Sequence, residues 1–458
     1  MRCASRRPLL PTRKDDHDGA VFMGLIAFLK RLFWGTPTPS SVPSAESADS
    51  SRLAADSTSS SAKIIVRRKF RGPDLLRFSA TVRRQGRTVQ VVRGQPYRFA
   101  RPFVISSVDY GDLSTDTNPA ALGRFDLPVL RTPEDLAHWL GIPLGRVAWL
   151  TGRFFENERP QSDDVAHYHF HWVKKKSGGY RLIEAPKALL KFAQTQILRG
   201  ILDRVPAHPA AHGFVKQRSI RSNAAPHVKS AWVMKLDLSN FYPSVTFSRV
   251  VAIFRSLGYS REVSIWLGRL TTSTIPSNLS APDRRENTVW PYRLRHLPQG
   301  APTSPAIANL SAFSLDVRLN GLAAKYHARY TRYADDLTLS GKGKSIPALR
   351  EIIPMAEWIV RNERFHLNRS KRRVLKQHQR QSVTGIVVNQ KLGVGRAEFD
   401  QLKAILTNCI RQGPVSQNRN QHNDFASHLR GRIGHFKSVN AERGTKLLKL
   451  YYQIDWTR

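Results

Sequence analysis

The sequence predicts an α+β fold on three observations. A short run rich in strand formers, 231–245, delivers Asp237 at its end beside the Ser239-Asn240 turn signal. Two strand-like runs flank Ala334-Asp335-Asp336, with Leu337 and Leu339 alternating with Thr338 and Ser340, which reads as a β-hairpin with two acids at its tip. Other stretches space their apolar residues for helices. At 41% hydrophobic residues, a chain of 458 can bury one large core or two to three smaller ones, which excludes a wholly disordered basic tail. No repeat is visible at periods of ~20–50 residues.

The chain carries 73 Lys plus Arg against 34 Asp plus Glu, a formal charge of +39. That excess calls for a polyanionic partner: nucleic acid, with a membrane surface as the competing reading. Two cysteines, Cys3 and Cys409, exclude a disulfide framework and a CxxC zinc site, so a reducing, cytoplasmic compartment is expected. The longest apolar run, 20–34, is about 15 residues interrupted by Lys30 and Arg31, too short to span a bilayer, and no transmembrane segment is expected.

From the N-terminus, residues 1–62 read as a disordered tail ending in a Ser/Pro-rich linker at 36–62. The run from Met23 to Trp34 reads either as a short amphipathic helix or as the neighbourhood of a second start codon at Met23. Residues 63–130 are taken as a basic arm of unknown fold; from Lys63 to Arg101 twelve Lys or Arg are interleaved with Phe70, Phe78, Tyr97 and Phe99 against one acid, Asp74. Thr132-Pro133-Glu134-Asp135 starts a helix with a capping hydroxyl, a proline at the first position and acids in the first turn. Leu136, Trp139, Leu140, Val147 and Leu150 are its core candidates. A second helix is expected over about 187–202, with Leu189, Leu190, Ala193, Ile197 and Leu198 on one face.

Asp237 alone reads as a cap or a surface charge, and Asp335-Asp336 alone as a solvated turn. Together they read differently, because crowded carboxylates repel unless a cation neutralises them. Hard divalent ions suit an all-oxygen set. Two such ions would activate a 3′ hydroxyl and stabilise a leaving pyrophosphate in an in-line displacement. Between the acids, 297–316 builds a rigid turn from Pro298, Gly300, Pro302 and Pro305 and then opens a helix. Such a turn serves either to approach a nucleotide or a purely structural end.

The ordered trio of Asp237 in LDLSNFYPSV, then LPQGAPTSP, then YADD resembles motifs A, B and C of reverse transcriptases. The likeness extends to 174–202, similar to the fingers motif of bacterial reverse transcriptases. Asn223-Ala224 with His227, and Val383-Thr384-Gly385, resemble two marks of the retron enzymes. It covers about 130–458 and implies a right-hand polymerase with fingers at 131–230, a palm at 231–392 and a helical thumb at 393–458, behind a flexible basic N-terminal extension.

The same resemblance implies the residue roles. Asp237, Asp335 and Asp336 match the catalytic aspartates, the first two binding both Mg2+ ions and Asp336 taking a lesser part. Tyr242 matches the ring beneath the sugar that excludes a ribose 2′ hydroxyl, with a core tyrosine as the alternative. Arg181 matches the clamp on the incoming triphosphate, with Lys176 a weaker candidate. Gln299 matches a position near the nascent pair, and Lys371 a proton donor to pyrophosphate; either can instead be an ordinary surface residue. Eight Lys or Arg between Arg361 and Arg380, against Glu363 alone, suit a phosphate backbone. Asn223, His227, Val383, Thr384 and Gly385 are expected to recognise the RNA, with a loop tie as the alternative.

By this resemblance the chain is an RNA-directed DNA polymerase that copies a cognate noncoding RNA, both template and primer, into RNA-linked single-stranded DNA. Synthesis starts from an internal 2′ hydroxyl, and the product serves antiphage defence. The partners are that RNA and its DNA product, dNTPs, a retron effector protein, and host RNase H to remove the template, since two residues follow Trp456. The rivals are a group II intron or diversity-generating enzyme, and a non-catalytic RNA-binding scaffold. Intact aspartates oppose the scaffold.

Overall fold

In the computed structural model the residues described are 90–93, 103–104, 109–152, 159–176, 178–283, 286–342 and 349–457. The tail, the linker, the Met23 segment and most of the basic arm lie outside them. Strands β1 (Gln90–Arg93), β2 (Phe103–Val104) and β3 (Asp109–Asp112) form a small antiparallel sheet in the order β1-β3-β2. Beyond it, residues 113–130 belong to the folded body rather than to an arm. Leu122, Leu127 and Leu130 join the main core, and Arg255 grips Asp116 with two hydrogen bonds of 2.8 and 2.7 Å.

The capping signals at Thr132 are realised as written. Thr132 accepts from the Asp135 backbone, the Asp135 carboxylate accepts from the Thr132 backbone, and the helix Pro133–Leu140 ends on Gly141 in the left-handed conformation. Gly141 and Pro143 therefore break the apolar series into two helices, the second being Leu144–Leu150. Strands β4 (Tyr168–Lys174) and β5 (Tyr180–Pro186) make a hairpin that leads into the helix Ala188–Gly200. On that helix Leu190, Ala193 and Ile197 are buried but Leu189 is 37% exposed. Leu189 lies a full 100° step from Leu190, off the centre of the buried stripe.

The central sheet is antiparallel, ordered β10-β6-β8-β7, with β9 on the end of β6. Its members are β6 (Trp232–Ser239), β7 (Ala328–Tyr333), β8 (Asp336–Gly341), β9 (His366–Leu367) and β10 (Arg373–Lys376). Period-two alternation sorts its faces. Trp232, Met234, Leu236 and Leu238 of β6 and Leu337 and Leu339 of β8 enter the main core, together with residues from the helices Phe247–Leu257, Arg261–Thr271, Ser304–Ser311 and Phe313–Lys325. The opposite face carries Val233, Lys235 and Asp237, which pair in register with Ser340, Thr338 and Asp336.

A second core gathers the C-terminal helices Arg396–Gln412, Phe425–Val439 and Ala441–Tyr451 through Leu402, Leu406, Leu429, Ile433 and Leu447. It also takes in Ala224, Val233 and Val383. Val383 ends β11 (Ser382–Val383), which turns into β12 (Ile386–Val387) through Thr384 at φ 46° and Gly385 at φ 85°. Two successive positive φ values make the two-residue hairpin turn that favours glycine. Among the described residues no helix is long and apolar enough to cross a membrane.

Candidate active site

β6 and β8 bring the acids together. Asp237 and Asp336 are directly paired across the two strands, and Asp335 occupies the β7–β8 turn, where its carbonyl accepts from Leu238 N at 3.0 Å. The turn itself requires Ala334 at φ 55°. Burial is the main cause lifting the Asp335 carboxyl above its ordinary value, and the charges of Asp336 and Asp237 lift it further. Asp336 is raised mainly by burial as well, with Lys235 opposing and Asp237 reinforcing the shift.

The Lys371 ammonium lies against Asp237, 3.0 and 3.1 Å from its two carboxylate oxygens. A cation thus already stands where the acids need one. Among the described residues no group of three or more His, Cys, Asp or Glu side chains stands in an arrangement that would hold a metal ion. The open all-oxygen trio with an ammonium standing in nevertheless fits a hard divalent ion, which accepts water and phosphate oxygens as further ligands.

Tyr242 is half-buried, its ring centroid 5.7 Å from that of the buried Phe241. Its hydroxyl is pushed up to about 12, by burial first and then by Asp335, with Arg181 and Arg332 opposing. Tyr242 thus borders the acids, and Phe241 is the core residue of the pair. Arg181 is exposed on β5. Lys176 is also exposed, on the β4–β5 turn, whereas Lys175 is the lysine drawn toward the acids. Burial lowers the Lys175 ammonium, Arg181 and Lys371 lower it further, and Asp237 opposes them. Strand-end geometry, which the Lys174-Lys175-Lys176 run leaves ambiguous, makes this choice.

Gln299 is half-buried, and its carbonyl accepts from Glu184 N of β5 at 2.9 Å. Next to it Gly300 has φ 137°, and a Cβ there would stand 2.9 Å from the Glu184 carbonyl oxygen. Only glycine lets this turn close onto β5. Beneath the contact, His296 Nε2 meets the buried Glu184 carboxylate at 2.9 Å, and although burial opposes it, that partner and the Leu294 carbonyl raise the imidazole above its usual value.

The two marks far apart in the sequence meet in space. Asn223 Nδ2 donates to Thr384 Oγ1 at 3.4 Å, and Thr384 Oγ1 donates to the Ile220 carbonyl. The His227 ring lies between Ser340 Oγ of β8 at 2.7 Å and Thr331 Oγ1 of β7 at 2.8 Å. Burial, reinforced by His212 and Arg329, holds His227 down at about 3, so the ring is neutral. Asn223, His227 and Val383 are all 0% exposed. That corrects the expectation of direct RNA contact for these three, because a side chain without exposed atoms reaches no ligand. They join the acid-bearing face of the hairpin, away from its turn, to the second core. Thr384 is half-buried and Gly385 exposed, so these two alone of the five reach the surface.

Sequence reasoning missed the brace under the turn. Arg332, fully buried, makes two hydrogen bonds to Asp316, at 2.8 and 2.7 Å, and donates to Asn309 Oδ1 at 3.0 Å and to the Ala334 carbonyl at 3.1 Å. Tyr330 donates to the same Asp316. An arginine directly before the Tyr-Ala-Asp-Asp run was the available signal.

Residues 173–388 match the family described as "Reverse transcriptase (RNA-dependent DNA polymerase)". The retron Mx65 reverse transcriptase of Myxococcus xanthus is 41% identical over 332 residues, covering 72% of this chain and 73% of that protein. The retron Mx162 reverse transcriptase of the same organism is 38% identical over 278 residues, 57% of this chain and 54% of that one. The retron Ec86 reverse transcriptase of Escherichia coli is 33% identical over 294 residues, 63% of this chain and 81% of that one.

Proposed function

Since the chain belongs to the retron reverse transcriptases and is an RNA-directed DNA polymerase, we propose that it copies one structured noncoding RNA into RNA-linked single-stranded DNA. The observation that supports this reading is the pairing of Asp237 with Asp336 beside Asp335, three carboxylates held close with Lys371 as their internal cation. In this reading β4–β5 and the helices around them act as fingers, the central sheet as palm and the C-terminal helices as thumb. Asp237, Asp335 and Asp336 would hold two Mg2+ ions, which supply an acidified attacking hydroxyl and charge neutralisation at the leaving pyrophosphate.

The chain's own residues do the rest. Arg181 and Lys175 bind the triphosphate, the arginine fork matching phosphate oxygens. Tyr242 closes the space beneath the sugar against a 2′ hydroxyl. Gln299, fixed through its backbone to β5, backs the nascent pair. Lys371, released from Asp237 when the acids are otherwise neutralised, donates a proton to pyrophosphate. The exposed cations between Arg361 and Arg380 follow the nucleic-acid backbone. Synthesis is assigned to the cytoplasm, with host RNase H trimming the template, a retron effector as protein partner and antiphage defence as the outcome.

Primer extension on an RNA template tests the chemistry. Incorporation of dNTPs is expected with Mg2+ and is lost on chelation, and Tyr242→Ala raises the ratio of rNTP to dNTP efficiency. An unchanged ratio would reduce Tyr242 to a core residue. Sequencing the nucleic acid that copurifies identifies the RNA, and finding no single RNA species would sink the dedicated-template reading.

A further inference from the structure

Next to the catalytic turn one large apolar side chain stands in water. Phe214 is 54% exposed with φ 60°, a backbone conformation that bulky residues rarely adopt. The loop that carries it is pinned from several sides. A Cβ on Gly213 would fall 2.6 Å from Ala334 N and 3.2 Å from Tyr333 C, so this backbone is pressed flat against the turn. Asn309 Nδ2 donates to the Gly213 carbonyl at 2.9 Å, and His212 N donates to the Arg332 carbonyl at 2.7 Å. A strained residue persists only where its surroundings over-determine it, and such residues gather at ligand sites.

The Phe214 ring lies 6.4 Å from that of Tyr333, tilted by 39°. Tyr333 faces the same side of the sheet as Asp336, its cross-strand partner, and precedes Asp335 by two residues. The ring pair therefore adjoins the carboxylate turn on its acid-bearing side. The cations suited to a triphosphate, Arg181 and Lys175, bear instead on Tyr242 and Asp237. An exposed phenylalanine against a half-buried tyrosine, beside a phosphoryl-transfer site, suits the sugar and base of a nucleotide already in the strand.

We propose that Phe214 and Tyr333 form an aromatic platform on which the 3′-terminal nucleotide of the primer strand packs. The proposal rests on the polymerase reading and adds the element that seats the primer end.

Steady-state extension of oligo(dT) on poly(rA) with dTTP and Mg2+, using the full chain, tests it. Phe214→Ala should raise the KM for primer–template about tenfold, the weight of one base–aromatic contact, with the KM for dTTP and the melting temperature as in wild type. Phe214→Trp should restore the primer KM, whereas Phe214→Leu, apolar but unable to stack, should not. If Phe214→Ala lowers the melting temperature, the Trp and Leu pair decides. An unchanged primer KM, a rise confined to dTTP, or equal rescue by Leu and Trp overturns the platform alone. A wild-type protein that binds the duplex yet incorporates nothing overturns the polymerase reading and the platform with it.

Discussion

The two faces of the β7–β8 hairpin handle buried charge in opposite ways. On the underside Arg332 and Asp316, both 0% exposed, satisfy each other, and Asn309, Tyr330 and the Ala334 carbonyl complete the set. On the upper side Asp237, Asp335 and Asp336 are held close, with the half-exposed Lys371 against Asp237 and Lys235 bearing on Asp336. A few residues of one hairpin thus contain a closed charge network and an open one. The closed network fixes the turn. The open one leaves an electrostatic demand for something outside the chain to meet.

If that division is right, disabling each face has a different signature. Asp335→Asn should lower incorporation about a thousandfold or more, since several kcal/mol of metal-borne stabilisation go with the carboxylate. Its melting temperature should hold or rise, because the charge removed is one that burial and its neighbours oppose. A marked fall in melting temperature would show that the upper face also holds the fold together.

Arg332→Met should do the reverse, removing about 3–5 kcal/mol of stability by stranding the buried Asp316 carboxylate. The urea midpoint reads this, and Arg332→Met with Asp316→Leu should regain most of the loss. A double variant that folds well but polymerises poorly would show that the brace positions Asp335 as well as stabilising the turn.

The smallest effect concerns His227, packed on the acid-bearing face of the hairpin away from its turn. Its folded value, about 3, lies below the unfolded 6.5, so the stability it contributes is present above pH 6.5 and is lost as pH falls toward 3. The local slope is about 1.4 kcal/mol per pH unit. His227→Gln should flatten the urea midpoint between pH 6.5 and 4.5 by one proton's worth, leaving the like-signed slope of His212, itself pushed down to about 4 by burial and Arg218. An unaltered slope would mean that His227 takes up its proton without leaving its hydroxyl partners.

What the sequence made legible was local. The strand that carries Asp237 near its end, the acidic hairpin and the Thr132 cap depend on neighbours within a few residues, and the structure has them where those patterns put them. Leu189 was misread because one helical step separates a buried face from a wet one. That Lys175, and not the expected Lys176, lies toward Asp237 depends on how β4 ends, which propensity does not encode. Asn223 and Thr384 are 161 positions apart, and their contact exists only once two cores have formed around it. Arg332 and Phe214 were overlooked for the same reason, since a buried arginine or an exposed phenylalanine becomes informative only beside its surroundings.

The make-up of the second core limits how the polypeptide can be cut and recombined. Ala224 and Val233 belong to it as fully as Leu402 or Leu447, although the whole acid-bearing hairpin lies between them in the chain. The last three helices are therefore not a detachable cassette. A protein stopped after Lys391 would leave Ala224, Val233 and Val383 facing water, an apolar patch beside the strand that carries Asp237, and such patches drive self-association. A chimera that borrows these helices from another retron enzyme would have to import 220–233 and 382–388 with them.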